Sequence, residues 1–262
     1  MITFKQVKKP HLFIVGLGGT GGFAFASLMR LFNGQDIKID LYDGDTVEAK
    51  NLARQDFAVS ELDQNKAQAL ADRYQKMLAS KCQITVHTQY LTSAEDFEVD
   101  LASSGDSETP IVISCVDNIS TRRLIDQAVK DLTGAVDIIA LDSGNGAQGG
   151  QVVVWGNYPA QVQKPFSEPV NRALPSMLEL FPEINQITSI FDENPGLVSV
   201  CAEQSQSKPQ TMMANVLNGQ IIANAVFEIS QNKPLAGNVY YQNLLNFAIK
   251  PEEKFDDEHE SA

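Results

Sequence analysis

His11-Leu12-Phe13-Ile14-Val15-Gly16-Leu17-Gly18-Gly19-Thr20-Gly21 decides the reading of this chain. A short apolar run of the kind that makes a buried strand feeds directly into glycines at G-x-G-x-x-G spacing. Gly16 permits a tight turn, Gly18 lets backbone approach a phosphate, and Gly21 lets the next helix pack on the strand, with Gly19 between them in the same turn. The segment from Phe23 to Phe32 is that helix. Its N-terminus offers free N–H groups and a partial positive charge to an anion. Such a turn binds a nucleotide phosphate, but alone it does not choose ATP over NAD.

Outward from the turn, a second strand over Ile37–Tyr42 ends at Asp43. A carboxylate at that tip accepts hydrogen bonds from ribose hydroxyls. Asp45 points the same way in an extended chain, and reads equally well as a solvated turn residue in Asp43-Gly44-Asp45. Next comes Asn51-Leu52-Ala53-Arg54-Gln55, a polar cluster that a plain dinucleotide fold does not need. Arg54 can fork two parallel N–H bonds onto phosphate oxygens. Lys66 can set a point charge there from the start of a helix expected over Ser60–Leu78, and Asn51 and Gln55 add neutral donors and acceptors. Singly, each reads as a surface polar residue; the joint spacing argues for a site.

Ile111–Cys115 is a β-branched run that ends at Val116-Asp117-Asn118, ahead of a helix over Thr121–Leu132. Ligand sites in open α/β sheets form at that edge of a parallel strand. Asp117 suits Mg²⁺, which prefers one or two carboxylates together with phosphate oxygens and water. Helix N-capping by Asp117 or Asn118 is compatible with that role.

Further strands are expected at Ile84–Gln89, Ile138–Leu141 and Val152–Trp155. Strand–helix alternation predicts a Rossmann-like, doubly wound α/β fold with a mainly parallel sheet covered on both faces. The segment 157–200, rich in Pro and Asn, reads as a long crossover or insertion loop. A helix follows over Gln210–Ile229, burying Val216, Ile221, Ile222, Ala225 and Ile229, with Gly219 expected to weaken it. Closing strands fall within Asn238–Ile249. The expectation is one domain over residues 1–250, then an acidic tail over 251–262.

The chain has 262 residues, 43% of them hydrophobic, and a formal charge of −13. That charge disfavours nucleic acid and anionic membrane as partners. No apolar run approaches the roughly 18 residues of a membrane span, and the N-terminus lacks the features of a secretory signal. These observations predict a soluble cytoplasmic protein. The three cysteines include no C-x-x-C pair, so no structural zinc is expected. Cys82 and Cys115 read as structural, and His11, His87 and His259 show no partner pattern.

The ordered set Gly16–Gly21, Asp43-Gly44-Asp45-Thr46-Val47, Asn51-Leu52-Ala53-Arg54-Gln55, Lys66 and Asp117-Asn118 with Arg122 resembles the ThiF/MoeB/HesA family, relatives of the ubiquitin-activating enzymes. Asp142-Ser143-Gly144-Asn145-Gly146 before Gly150-Gln151-Val152 resembles the family's glycine-rich segment. Cys201-Ala202-Glu203 resembles its cysteine before the last long helix. Within the family the chain looks most like the PRTRC-system ThiF branch. The resemblance implies ATP- and Mg²⁺-dependent adenylation of the C-terminal glycine carboxylate of a ubiquitin-like or sulfur-carrier protein, by a homodimer. It implies that Asp43 holds the ribose, that Asn51, Arg54 and Lys66 contact phosphates, and that Asp117 binds Mg²⁺. Cys201 matches a thiol that some members use for transfer; a buried structural cysteine is the other reading.

Departures accompany the resemblance. The zinc-binding cysteine pairs are missing. The arginine that many members carry on an N-terminal helix, reaching ATP across a dimer, has no match among Lys5, Lys8 and Lys9, which leaves its role to Arg122, Arg123 or Arg172, or unfilled. Asp63 stands where members often have glycine. Two other readings stay open: a non-catalytic nucleotide- or partner-binding module, and an NAD-dependent oxidoreductase, which leaves Arg54, Lys66 and Asp117 idle.

Overall fold

Strand β2 (Lys9–Val15) is buried at almost every position, as a strand flanked on both edges and covered on both faces must be. It is the third strand of a five-stranded parallel region. The computed structural model describes residues 1–77, 81–146, 149–163, 168–184, 212–246 and 248–255. Along the chain it contains β1 (Ile2–Phe4), β2, α1 (Gly19–Leu31), β3 (Lys38–Tyr42), α2 (Lys66–Met77), β4 (Gln83–His87), α3 (Ala94–Ala102), β5 (Glu108–Ser114) and α4 (Ile119–Asp131). Then follow β6 (Ile139–Asn145), β7 (Gly149–Val162), β8 (Val170–Leu174), α5 (Met177–Leu180), α6 (Met212–Ser230), β9 (Val239–Asn243) and β10 (Ala248–Glu252).

The sheet order is β10-β9-β7-β6-β5-β2-β3-β4, with β1 and β8 paired to β7. Strands β6, β5, β2, β3 and β4 are parallel. The β2-α1-β3-α2-β4 crossovers run one way along the sheet, and β4-α3-β5-α4-β6 returns past β2. Right-handed crossovers therefore set α1 and α2 on one face and α3 and α4 on the other. Helix α6 packs on α1. The expected Rossmann-like doubly wound α/β architecture is the observed one.

Several local expectations need correction. Helix α2 starts at Lys66, not Ser60, because residues 59–61 form a single 3-10 turn and Asp63 has φ 65°. That left-handed backbone is the reason glycine suits this position, and Asp is among the few side chains that tolerate it. β7 is antiparallel to β6, since a connection as short as Gly146–Gly149 cannot cross over the sheet. The segment 157–200 is not wholly a loop. Residues 157–162 complete β7, and β8 and α5 follow. Pro159, which has no N–H to donate, lies where the β7–β8 register shifts between Gly156 and Ala160. Residues 251 and 252 belong to β10 rather than to a tail.

Helix α3 went unread in the sequence because Phe97 and Leu101 are its only buried residues. Polar anchors complete its docking. Ser104 Oγ lies 2.8 Å from His11 Nδ1, and Tyr42 donates to Asp100 at 2.9 Å. Asp40 accepts from His11 at 2.7 Å and from His87 at 2.8 Å, so both histidines have the partner that their sequence context did not reveal. Burial pushes the Asp40 carboxyl up, but the bonds from His11 and His87 outweigh it and hold the group below the ordinary carboxylate range. A depressed carboxyl contributes stability that is present above its unfolded value and lost as pH falls through its folded value. The stability gap between wild type and Asp40→Asn, measured by urea unfolding, is therefore expected to close below about pH 4. A gap that stays open at lower pH would contradict this.

Gly219 does not weaken α6; it permits the α1–α6 contact. A Cβ there would meet Ala24 N and Phe23 Cβ at 2.9 Å and Thr20 O at 3.1 Å. On an exposed helix Gly→Ala gains up to about 1 kcal/mol. Here overpacking against backbone reverses the sign, and Gly219→Ala is expected to cost about 1–3 kcal/mol in chemical denaturation. Val216, expected on the buried face, is only half-buried, whereas Asn215 and Asn218 are fully inside.

Candidate nucleotide site

The carboxyl ends of β2, β3 and β5 meet at one edge of the sheet, and most of the expected site residues gather there. After Val15 the chain turns at Gly16, with φ 88°. A Cβ on Gly16 would meet Cys115 O at 2.9 Å, and one on Gly21 would meet Gly16 O at 1.8 Å. Both glycines are dictated by self-packing of the turn. Gly19 is filled from the far side, because its Cβ would overlap the Asn215 amide at 2.2 Å. Gly18 is the open one: its nearest neighbour is the Gln55 amide at 3.7 Å. The approach to the N-terminus of α1 is thus over Gly18.

Asp43 latches this turn. One carboxylate oxygen accepts from Leu17 N at 2.6 Å and the other from Asp45 N at 2.8 Å. Burial raises the Asp43 carboxyl, opposed by those two N–H groups and by the nearby Lys66 ammonium. Each carboxylate oxygen has a second lone pair, so Asp43 can accept a ribose hydroxyl without releasing the turn. Asp45 takes the Lys66 ammonium at 2.7 Å and the Tyr90 hydroxyl. Lys66 Nζ is buried beside the turn, and its charge is matched by Asp45.

Asn51 is buried, with its side-chain oxygen accepting from Glu48 N at 2.8 Å. It shapes the turn that carries Arg54 and Gln55. Arg54 is fixed through its backbone, donating to Asn51 O at 3.0 Å and accepting from Asn215 Nδ2 at 3.3 Å. Its guanidinium has no acidic partner among the described residues. Gln55 Oε1 is buried and unpartnered among the described residues, next to Gly18. An uncommitted guanidinium and a glycine floor together fit a polyphosphate, and the orphaned acceptor calls for a donor such as a hydroxyl or N–H of the same ligand.

Asp117 is exposed at the tip of β5, and the Tyr90 hydroxyl feels its charge together with those of Asp43 and Asp45. Asn118, not Asp117, caps α4, accepting from Thr121 N at 2.8 Å. Asp117 is left for another role. Burial pushes the Cys115 thiol up to about 12, so it is not a nucleophile at neutral pH.

Arg122 is not available to stand in for a missing arginine. It ion-pairs with Asp142 and donates to Val116 O and Ser143 O at 2.6 Å. Arg172 lies 4.4 Å over the Phe255 ring. Cys201 lies outside the described residues.

Sequence reasoning missed a buried amide cluster behind the turn. Asn145 Nδ2 donates to Asn215 Oδ1 at 2.8 Å and to the Thr20 hydroxyl. Asn218 Nδ2 donates to Ser143 Oγ at 2.9 Å. These bonds tie α1, β6 and α6 together. The signal was present in Asn215-x-x-Asn218, two amides one turn apart on an otherwise apolar helix.

A doubly wound α/β protein with a glycine turn at the carboxyl edge of its parallel strands is the class this geometry defines. The chain belongs to the ThiF family, whose model matches residues 3–257. It is similar to ubiquitin-like modifier-activating enzyme 5 of Gallus gallus, 31% identical over 135 residues, which cover 49% of this chain and 33% of that protein. The Arabidopsis thaliana protein of the same name is 28% identical over 49% of this chain and 31% of its own length. The matched stretch spans about a third of those relatives. Among solved structures, PaaA aligns at TM-score 0.59 and 19% identity, covering 96% of this chain and 74% of its own. E. coli MccB with ATP aligns at TM-score 0.59 and 17% identity, covering 94% and 64%. These two likenesses establish the fold. Among the described residues, no helix is long and apolar enough to cross a membrane.

Proposed function

We propose that this protein activates a carboxylate at the C-terminus of a protein or peptide by adenylation. A carboxylate oxygen attacks the α-phosphorus of ATP, the bond to the β-phosphate oxygen breaks, and pyrophosphate leaves. The observation that carries this reading is the uncommitted Arg54 guanidinium on the turn whose next residue, Gln55, lies against the open glycine, Gly18, with Lys66 and Asp117 at the same edge. An NAD site does not call for a metal-holding carboxylate beside its pyrophosphate. Family membership and the similarity to ubiquitin-like modifier-activating enzymes support it.

Within this reading the α1 N-terminus and Gly18 seat the phosphates, Asp43 takes the ribose, and Arg54 neutralises charge on the phosphates as it develops. The protein supplies in-line placement and charge compensation, which are the main needs of phosphoryl-type transfer. Lys66 exchanges Asp45 for a phosphate oxygen. Asp117 would hold Mg²⁺, which supplies charge neutralisation between phosphates when bound. The acceptor is a ubiquitin-like or sulfur-carrier protein, or a peptide, ending in glycine; the assembly is a homodimer working in the cytoplasm. Cys201 serves any transfer after adenylation.

ATP–pyrophosphate exchange tests the proposal. Exchange is expected only when a carrier protein or peptide with a free C-terminal glycine is present. Wild-type protein that binds NAD(H) but not ATP, or binds ATP without exchange across a panel of such acceptors, would overturn it.

A further inference from the structure

Tyr90 is an aromatic residue with no place in the core: it is 64% exposed. It is nonetheless held. Its ring lies flat on Gly44, where a Cβ would meet Cγ and Cδ2 at 2.7 Å and Cδ1 at 2.8 Å. Its hydroxyl is tethered to the Asp45 carboxylate. With one face on Gly44 and the hydroxyl bound, the exposed surface is the opposite face. An exposed aromatic ring fixed at both ends presents a flat apolar surface at little cost in side-chain entropy.

Its position gives that surface a use. Phosphates at the α1 N-terminus lie at the tip of β2, and the ribose carboxylate Asp43 lies at the tip of β3. The base of the same nucleotide therefore extends past Asp43, toward the chain leaving β4. Tyr90 is three residues beyond the end of β4 and rests on the residue after Asp43. Burial in the stack would remove apolar area of both rings from water, and base–aromatic stacking does not depend on which base is present.

We propose that Tyr90 is the base platform of this site, stacking the nucleobase of the bound nucleotide on its open face. This rests on the nucleotide reading above and adds the residue that holds the base. Tyr90 contributes affinity rather than base identity.

Isothermal titration of ATP against wild type, Tyr90→Phe and Tyr90→Ala tests it. Tyr90→Phe keeps the ring and loses the tether, and is expected to bind ATP within about threefold of wild type. Tyr90→Ala loses the platform and is expected to bind about tenfold or more weakly. Tyr90→Trp enlarges the platform, and its emission is expected to be quenched by ATP over the background of Trp155. Unchanged affinity in Tyr90→Ala overturns the proposal. So does equal loss in Tyr90→Phe and Tyr90→Ala, which would make Tyr90 a prop for Asp45 and Lys66. Failure of wild type to bind ATP at all would instead sink the activation reading, and this inference with it.

Discussion

Arg54→Ala is expected to cut acceptor-dependent ATP–pyrophosphate exchange by about 10²–10³-fold, the usual loss when one preorganised donor to developing charge is removed. Thermal stability should stay within about 2 °C of wild type. The two halves of that expectation come from one observation. The Arg54 backbone is held by Asn51 and Asn215, whereas its guanidinium bonds to no described residue. Nothing in the described fold therefore loses a partner when the side chain is cut back to Cβ. Arg54→Lys keeps the charge and loses the fork, so it should recover only part of the activity. Lys66 behaves differently. Its removal strands Asp45 beside Asp43, so loss of activity in a Lys66 variant mixes chemistry with folding. Arg54 is the cleaner probe. Near-normal exchange in a folded Arg54→Ala protein would take this residue out of the reaction.

How much of this was legible in the sequence follows from the range of each interaction. The strand–turn–helix at 11–32 and the tip carboxylates Asp43 and Asp117 are local patterns, visible because each follows directly on a strand that its own run of residues reveals. Helix α3 was not visible, because it is anchored by His11 and Tyr42 from distant strands rather than by its own apolar period. The same holds for the Asn145–Asn215–Asn218 cluster, whose partners are separated by about seventy residues along the chain. Gly219 was misjudged because a helix propensity describes an isolated helix, and the neighbouring α1 backbone reverses its sign. Tyr90 carried no pattern in the chain. Its role emerges only when β4 ends beside Gly44.

Arg122→Ala is expected to destabilise the protein by about 3–5 kcal/mol, the range for stranding one member of a buried ion pair. Arg122 and Asp142 have side chains only 12% and 5% exposed. Without the guanidinium, Asp142 keeps a buried charge with no counterion, and the carbonyls of Val116 and Ser143 lose their shared donor. At roughly 2–4 °C per kcal/mol for a chain near this size, Tm should fall by about 10 °C. The double variant Arg122→Met with Asp142→Leu removes both charges and should recover a large part of that loss, since an apolar replacement of the whole pair is often neutral. The clamp also fixes the β5 tip from below: it grips Val116, the residue before Asp117, and Ser143 at the end of β6. The double variant, though refolded, is therefore expected to bind ATP and Mg²⁺ together less tightly than wild type while its affinity for ATP alone changes little. Arg122→Ala within about 1 kcal/mol of wild type would show that the pair is not structural, and would return Arg122 to the candidates for a phosphate-contacting arginine.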